Sequence, residues 1–253
     1  MNISMGYDLQ PRQIHTVEID ASMIRSGDHF GMFSLDGSSS LIMYGSGSYT
    51  DHSTMALWFD DGLYIVESNT PVIRRTPYSQ WIESVRRSSM VAWNPLTDEL
   101  AERFNETAAR EFFLSMEGTV YGFHNLMFGW VDTAEDNWSP LIPHHFVPIL
   151  MSMTENIDEH GTEIIYTDAL NKRLGVEGKN ITEIAALAAD QGMTVDYVSG
   201  MTEVEGWIYS GLEPKDGRAY VCSALATAIW EVAGLFDGFE INATEFTPGN
   251  AYQ

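Results

Sequence analysis

The sequence contains a single cysteine, Cys222, at the point where a short β-prone run gives way to an apolar helical pattern. The first three or four backbone N–H groups of a helix have no partner inside the helix, so together with the helix dipole they stabilise a negative charge. A thiol placed there ionises more readily, and its pKa falls from about 8.5 to roughly 3.5–7.5. Cys222 is therefore a candidate nucleophile. The competing interpretation is a buried, inert cysteine, the usual state of an unpaired one.

A nucleophilic cysteine needs a base, and the chain offers seven histidines. His52 is the best placed, because it follows the glycine- and serine-rich loop GSGSYTD and opens the β-like run HSTMALWF. Functional groups favour such positions beside a loop on a rigid element. His124 lies in the aromatic segment YGFHNLMFGW and could line a cleft. The competing interpretation of His52 is a solvated histidine at the end of a strand.

A third group should orient the imidazole. The strand after His52 turns at DDG and returns as LYIVESNT, which carries Glu67 and Asn69. A two-residue turn at 61–62 would make Asn69 the diagonal neighbour of His52 and would leave Glu67 roughly 13 Å away along the strand, at ~3.3 Å per residue. A bulge or a longer turn could close that gap. Spacing alone therefore leaves both residues open.

The hydrophobic pattern indicates the elements that position these side chains. Four short β-prone runs with Gly and Asp turn signals between them predict an antiparallel sheet or a small barrel. The runs are His29–Leu35, Leu41–Tyr44, Ser53–Phe59 and Leu63–Glu67. Residues 97–118 predict one helix of about twenty residues, capped by Thr97, and MTVDYVSG predicts an extended segment. After Cys222, apolar residues at three- and four-residue spacing predict a helix packed on the sheet: Leu225, Ala228, Ile229, Val232 and Leu235.

Four pieces of the sequence resemble a known family in their order. They are RSGDHFGM (25–32), DHSTMALWFDDGLYIVES (51–68), EGTVYGFHN (117–125) and YVCSALATAIWEVAGL (220–235). The arrangement is similar to that of the circularly permuted papain-like hydrolases of the YiiX type, relatives of the NlpC-type peptidases and the lecithin retinol acyltransferase group. In that family the histidine precedes the cysteine in sequence, the reverse of papain.

The resemblance implies an α+β, permuted papain-like (NlpC-like) fold in a single domain over residues 1–253, with 131–219 a mostly helical insertion. It also implies a Cys222–His52–Glu67 triad that cleaves an amide, peptide or ester bond through a thioester. Asn69 is the alternative orienting residue. Four further residues in or beside the matching pieces are expected to contact substrate: Asp51, Tyr121, His124 and Ser223. Many relatives have glycine where this chain has Asp51, whose charge would raise the pKa of His52.

Three alternatives stay open. The same triad could pass the acyl group to an amine or alcohol, as an acyltransferase does. The fold could also serve as a catalytically silent binding module, although the retained Cys, His and Glu argue against it. A metal site is the third, but no H-x-x-x-H or C-x-x-C spacing supports one, so we expect neither a metal nor another cofactor.

Composition restricts the partners. The chain has 36 acidic and 13 basic residues, a formal charge of -23, which repels nucleic acids. We expect no membrane span, since no apolar run approaches ~20 residues. The expected partner is a small molecule or peptide that carries an acyl group, neutral or cationic. No signal peptide is recognisable, five N-x-S/T triplets occur, and both a secretory or vacuolar and a cytoplasmic location fit. The sequence does not indicate an oligomeric state.

Overall fold

The structure is a computed structural model, and it describes residues 18–34, 37–46, 48–87, 89–123, 131–132, 142–143, 147, 156, 159–201, 208–209 and 217–252. The strands are β1 (His29–Ser34), β2 (His52–Phe59), β3 (Gly62–Ser68), β4 (Ile73–Pro77), β5 (Ser89–Asn94), β6 (Val131–Asp132), β7 (Ile142–Pro143), β8 (Ile208–Tyr209) and β9 (Gly217–Arg218). The helices are α1 (Gly37–Ser46), α2 (Tyr78–Val85), α3 (Asp98–Arg103), α4 (Glu106–Met116), α5 (Glu159–Arg173), α6 (Ile181–Asp190), α7 (Val195–Ser199) and α8 (Cys222–Val232).

The chain is an α+β protein built on a five-stranded antiparallel sheet with strand order β4–β3–β2–β1–β5. Strands β1 to β4 follow one another as a meander, and β5 pairs with the free side of β1. Because β4 and β5 are edge strands, the sheet is open. Of the two predicted forms, the structure therefore has the antiparallel sheet and not the closed barrel. These two outer strands have five and six residues, lengths typical of globular proteins.

The hairpin between β2 and β3 fixes which residues meet at the far end of the two strands. Phe59 pairs with Gly62 and Met55 with Val66, so the two turn residues are Asp60 and Asp61. The predicted turn at residues 61–62 was therefore wrong by one position, which moves the register by two residues. Gly62 takes φ of 142°, a value that favours glycine, and this accounts for its place directly after the two aspartates.

The two faces of the sheet carry two separate cores. One face packs on α8 and α4 through a cluster that includes Met55, Val66, Phe113 and Leu225. The other face packs on α2 through an aromatic cluster of Phe30, Tyr78 and Trp81, joined by Ala56 and Ile65. Successive residues of a strand point to opposite faces, so Met55 lies in the first of these cores and Ala56 in the second.

Helix α8 is the element that carries Cys222 to the sheet. It begins at Cys222, as the sequence predicts, and residues 222–229 are all buried. Gly234 follows its end with φ of 83°, and two backbone bonds, Leu235 N–H to Trp230 O and Gly234 N–H to Glu231 O, close it as a Schellman motif. Val232 is the most exposed member of the predicted apolar stripe, with 39% of its surface exposed.

Three elements differ from the sequence prediction. Residues 41–44, expected as a strand, lie in α1; so short an apolar run does not distinguish strand from helix. The single helix expected over 97–118 is two helices, α3 and α4, because Asn105 caps the second with its side chain. Thr97 caps the first, as predicted. The expected extended segment near residue 195 is α7, which Thr194 caps.

The region from 131 to 219 is described in parts. Helices α5, α6 and α7 lie in it and share an apolar cluster of their own, formed by Leu170, Ile184, Ala188 and Val198. That this region is an insertion into a papain-like domain stays a prediction. Within the described ranges, no helix is long and apolar enough to cross a membrane.

Candidate active site

The candidate site lies where β2 and β3 cease to be paired. Their registered pairing starts at Met55↔Val66, so His52 and Glu67 lie beyond its last pair. Continued, the register makes Glu67 the diagonal neighbour of His52, a position from which long side chains reach each other. His52 Nε2 lies 2.7 Å from Glu67 Oε2. The structure thus brings together the base and the carboxylate that the sequence resemblance implies.

Glu67 is held from both sides. Its second oxygen, Oε1, accepts a hydrogen bond of 2.9 Å from Nε of Arg74, the residue of β4 that pairs with Glu67. The Glu67 side chain is only 4% exposed, whereas that of Arg74 is 46% exposed. Burial alone would raise the pKa of the Glu67 carboxyl, but His52 and then Arg74 outweigh it and hold that pKa at about 2. Glu67 is therefore ionised under all ordinary conditions.

Cys222 meets His52 from the beginning of α8. Val221, the residue before the helix, provides no side-chain cap, which leaves the first-turn amides available to other acceptors. The backbone N–H of Ser223 and the backbone N–H of Ser53 both donate to the Cys222 sulfur, and the His52 side chain is its third hydrogen-bond partner. The Ser53 amide lies beyond the last registered pair of β2 and β3. Because the two strands separate there, the sulfur can lie beside this amide.

The charges of this pair stabilise each other. Burial raises the pKa of the Cys222 thiol, but the charge and hydrogen bond of His52, helped by the two amides, bring it below its usual value. Burial likewise lowers the pKa of His52, but the Cys222 thiolate and then Glu67 raise it to about 10. These opposite directions favour a thiolate–imidazolium pair at neutral pH.

The two nitrogens of the His52 ring have separate partners. Because Nε2 is engaged by Glu67, Nδ1 is the nitrogen left for the sulfur. Glu67 thereby fixes both the ring orientation and the position of the proton that faces Cys222. His52 and Glu67 retain 14% and 4% side-chain exposure, and this shielding strengthens the interaction of their charges.

Tyr121 lies close enough to Cys222 for their charges to interact. Burial, followed by the negative charge of Cys222, raises the pKa of Tyr121 well above its ordinary value. Its hydroxyl group is therefore a permanent hydrogen-bond donor. Phe123 packs edge-on against it with 5.0 Å between the ring centroids. His124, the next predicted residue, lies outside the described residues.

Three other predicted residues have different surroundings from those expected. Both carboxylate oxygens of Asp51 accept bonds of 2.8 Å inside the protein, from the Ser34 amide and the Ser39 hydroxyl. This carboxylate anchors the start of α1 and is not among the groups that shift the pKa of His52, so the expected effect of Asp51 on that pKa is corrected. The Ser223 hydroxyl donates to the Phe246 carbonyl at 2.6 Å, which leaves its amide as its contribution to the site.

Asn69 is not the group that orients His52. Its side-chain oxygen accepts a bond of 2.8 Å from the Thr70 amide, and the imidazole bonds Glu67 instead. With the corrected turn, the continued register places Asn69 opposite His52 and Glu67 diagonal to it, so both residues lie within reach of the imidazole and the observed hydrogen bonds distinguish them.

A second buried imidazole lies on the neighbouring strand. His29 accepts a hydrogen bond of 3.1 Å at Nδ1 from the Asn94 amide group and packs 5.8 Å from the Trp230 ring. Burial, and then the positive charge of His52, lower its pKa to about 4, so His29 is neutral. Its Nε2, like the hydroxyls of Ser53 and Thr227, has no hydrogen-bond partner among the described residues.

Two contributors to this site are not evident from the sequence. No sequence motif selects Arg74, and the Ser53 contribution is a backbone amide. Arg74 is recognisable only from its pairing with Glu67, and that pairing is known only once the register of β4 is known. Among the residues that the structure describes, no three His, Cys, Asp or Glu side chains are grouped to hold a metal ion.

Comparison with known proteins adds no identification. A scan against models of protein families found no match, and a search of curated proteins found none either. The chemistry of the site is accordingly argued from its residues and their geometry.

Proposed function

We propose that this chain is a cysteine hydrolase that cleaves an amide, peptide or ester bond through a Cys222–His52–Glu67 triad. The observation that carries the proposal is a single chain of contacts, from the Cys222 sulfur to the His52 ring and from His52 Nε2 to Glu67 at 2.7 Å. A nucleophile, a base and an orienting group in this order form the minimal machinery of covalent acyl transfer. The open antiparallel sheet against the Cys-bearing helix fits the permuted papain-like fold, which is part of the proposal.

The first half of the reaction makes a thioester. The Cys222 thiolate attacks the acyl carbon, so a C–S bond forms and the carbonyl electron pair moves to oxygen. The proton on His52 Nδ1 then passes to the leaving amine or alcohol as the C–N or C–O bond breaks. Glu67 remains ionised throughout and stabilises the imidazolium before that transfer.

The second half hydrolyses the thioester. Neutral His52 takes a proton from water, and the resulting hydroxide adds to the acyl carbon. The C–S bond breaks, the carboxylic acid leaves, and Cys222 and His52 return to the thiolate–imidazolium pair. The balance is one water consumed and one acid with one amine or alcohol released. No redox partner is needed.

The negative oxygen that forms in each half needs donors. The backbone N–H of Cys222 lies in the first turn of α8, where amides lack partners within the helix. The Tyr121 hydroxyl is the side-chain donor, because its raised pKa keeps it protonated beside the thiolate. Loss of one such donor typically costs 10²–10³-fold in rate, so for Tyr121→Phe we expect a fall in turnover of about a hundredfold.

The test is to trap the acyl-enzyme. Native protein is incubated with a panel of activated acyl esters, and intact-protein and peptide mass spectrometry locate the added acyl group. We expect an adduct on Cys222 that disappears with time, and none in Cys222→Ser. An added amine that captures the acyl group faster than water would identify an acyltransferase.

His52→Gln and the matched substitution His29→Gln separate catalysis from mere packing. We expect the first to abolish acylation and the second to preserve it. Two results would defeat the proposal: acylation that persists in Cys222→Ser, or a native protein that none of the acyl donors modifies although Cys222 is accessible to a small alkylating agent. The second of these would leave the silent binding module as the better description.

A further inference from the structure

A cavity lies on the side of α8 that faces α4. It has a volume of about 390 Å³ and is lined by Phe112, Arg218, Tyr220, Ala228, Glu231 and Val232. This volume lies within the range of small-molecule sites. The three residues from α8 are spaced i, i+3 and i+4, so they share one helix face. Cys222 does not line this cavity.

The cavity is lined by aromatic and aliphatic side chains together with two opposite charges. Phe112 and Tyr220 meet edge-to-face with 6.2 Å between their ring centroids, and Ala228 and Val232 extend the apolar surface. Arg218 and Glu231 provide the charges, yet they form no ion pair with each other or with any other residue in the described ranges. A guanidinium and a carboxylate therefore line one cavity without neutralising each other.

Arg218 is exceptional among the cations of the part of the chain that the structure describes. Every other arginine and lysine there bonds a carboxylate or a backbone carbonyl. The chain has 36 acidic residues against 13 basic ones, so partners for a cation are abundant. An arginine at a cavity wall that lacks a partner among the described residues is available to an anionic group from outside.

We propose that this cavity binds a small zwitterion with an apolar side group, the chemistry of a free hydrophobic amino acid. Arg218 takes the carboxylate, for which the planar guanidinium offers two parallel N–H groups. Glu231 takes the ammonium group, and the side group lies against Phe112 and Val232. This site is separate from the Cys222 centre and does not depend on the proposed hydrolase activity.

The probe is L-phenylalanine, and the readout is NMR of methyl-labelled protein. Saturable shifts are expected at the methyl groups of Ala228 and Val232, which line the cavity, and none at Ile184 in the separate cluster of α5 to α7. Phenylalaninamide lacks the carboxylate and N-acetylphenylalanine lacks the ammonium group. Each analogue is expected to bind at least about tenfold more weakly, since charge-assisted bonds are the strong ones in such a site.

Charge-neutralising variants assign the two ends of the ligand. Arg218→Gln is expected to weaken L-phenylalanine binding at least about tenfold while leaving the weak binding of phenylalaninamide unchanged. Glu231→Gln is expected to do the same with respect to N-acetylphenylalanine. Arg86→Gln and Glu240→Gln are the matched controls, because they remove the same charges elsewhere on the surface. Neither Arg218 nor Glu231 has an ion-pair partner to lose among the residues that the structure describes, so both variants should fold.

The outcomes distinguish this site from the Cys222 centre. Cys222→Ser should bind L-phenylalanine with unchanged affinity. Three results would overturn the proposal: no saturable shift up to the solubility limit of L-phenylalanine, equal affinity in Arg218→Gln and Arg86→Gln, or loss of binding in Cys222→Ser.

Discussion

Two buried histidines on neighbouring strands have opposite protonation states. Burial lowers the pKa of both, yet that of His52 reaches about 10 and that of His29 falls to about 4. His52 faces a thiolate and a carboxylate, whereas His29 faces the Asn94 amide and the Trp230 ring. The comparison teaches that desolvation disfavours either imidazolium and that only the charges of the partners reverse this. The experiments below alter those partners one by one.

The largest effect is expected from exchanging the two imidazoles for amides. His52→Gln removes the cation beside Cys222, so the thiol pKa rises and the rate of iodoacetamide labelling at near-neutral pH should fall at least about a hundredfold. His29→Gln, the matched control, should change that rate by less than about twofold. Labelling followed by mass spectrometry measures both. Equal rates in His52→Gln and wild type would mean that no ion pair exists.

Glu67→Gln should come next. It removes the carboxylate that bonds both His52 and Arg74, and breaking a buried ion pair of this kind costs about 3 kcal/mol of the free energy of unfolding. The labelling rate of Cys222 should fall about tenfold, because loss of the opposite charge lowers the pKa of His52 by about one unit or more and weakens its support of the thiolate. Denaturant unfolding and labelling report the two effects.

Glu117→Gln is the control for that substitution. Glu117 pairs with Arg75 at 3.3 Å, and both side chains are about one-third exposed. Such a pair contributes under about 1 kcal/mol. If Glu67→Gln behaved like Glu117→Gln in both measurements, Glu67 would be an ordinary surface partner and not the orienting group.

A third prediction concerns acid. The folded pKa of His29 is about 4, below its usual 6.5, so below pH 6.5 the unfolded chain binds a proton that the folded protein does not. The stability that neutral His29 contributes is therefore complete above pH 6.5 and is lost as pH falls towards 4, by about 2 kcal/mol at pH 5. Glu67 has its folded pKa lowered to about 2 from 4.5, so its own contribution declines only between pH 4.5 and 2.

Denaturant unfolding of wild type and of His29→Gln across this pH range separates the loss of stability due to His29 from that due to Glu67. The variant should lose the decline between pH 6.5 and 4 while keeping the one below pH 4.5. A wild-type stability that stays flat from pH 6.5 to 5 would contradict a neutral buried His29.

The smallest effect is expected from Asn69→Ala. The side chain bonds the neighbouring Thr70 amide, so its loss should change Cys222 labelling by less than about twofold and stability by about 1 kcal/mol or less. The same assays measure it. A fall in labelling as large as that of Glu67→Gln would restore Asn69 as an orienting residue.

The sequence allowed a candidate nucleophile and a candidate base to be chosen but not the geometry between them. Periodicity placed Cys222 at a helix start, and the β-like run placed His52 at a strand start, because both are local properties. The register of β2 and β3 was predicted wrongly, since Asp60, Asp61 and Gly62 offer two adjacent tight turns and only the packing of both faces selects one. The distinction between Glu67 and Asn69 depends on side-chain hydrogen bonds that the sequence does not show.

Other features depend on contacts that are distant in sequence. The Arg74–Glu67 pair needs the register of β4, and the Ser53 amide becomes a donor only where β2 and β3 separate. The break between α3 and α4 is different, because Asn105 is a strong capping residue inside an otherwise continuous helical pattern. Its side chain competes with the helix for the backbone, so this break has a local signal in the sequence.

The central claim is a thiolate–imidazolium pair between Cys222 and His52, and the ultraviolet absorbance of the thiolate tests it most directly. A pH titration of wild type should show thiolate absorbance already present at near-neutral pH, absent from Cys222→Ser, and displaced to distinctly higher pH in His52→Gln. His29→Gln should titrate like wild type. A wild-type protein that acquires this absorbance only above the ordinary thiol pKa of about 8.5 would contradict the account.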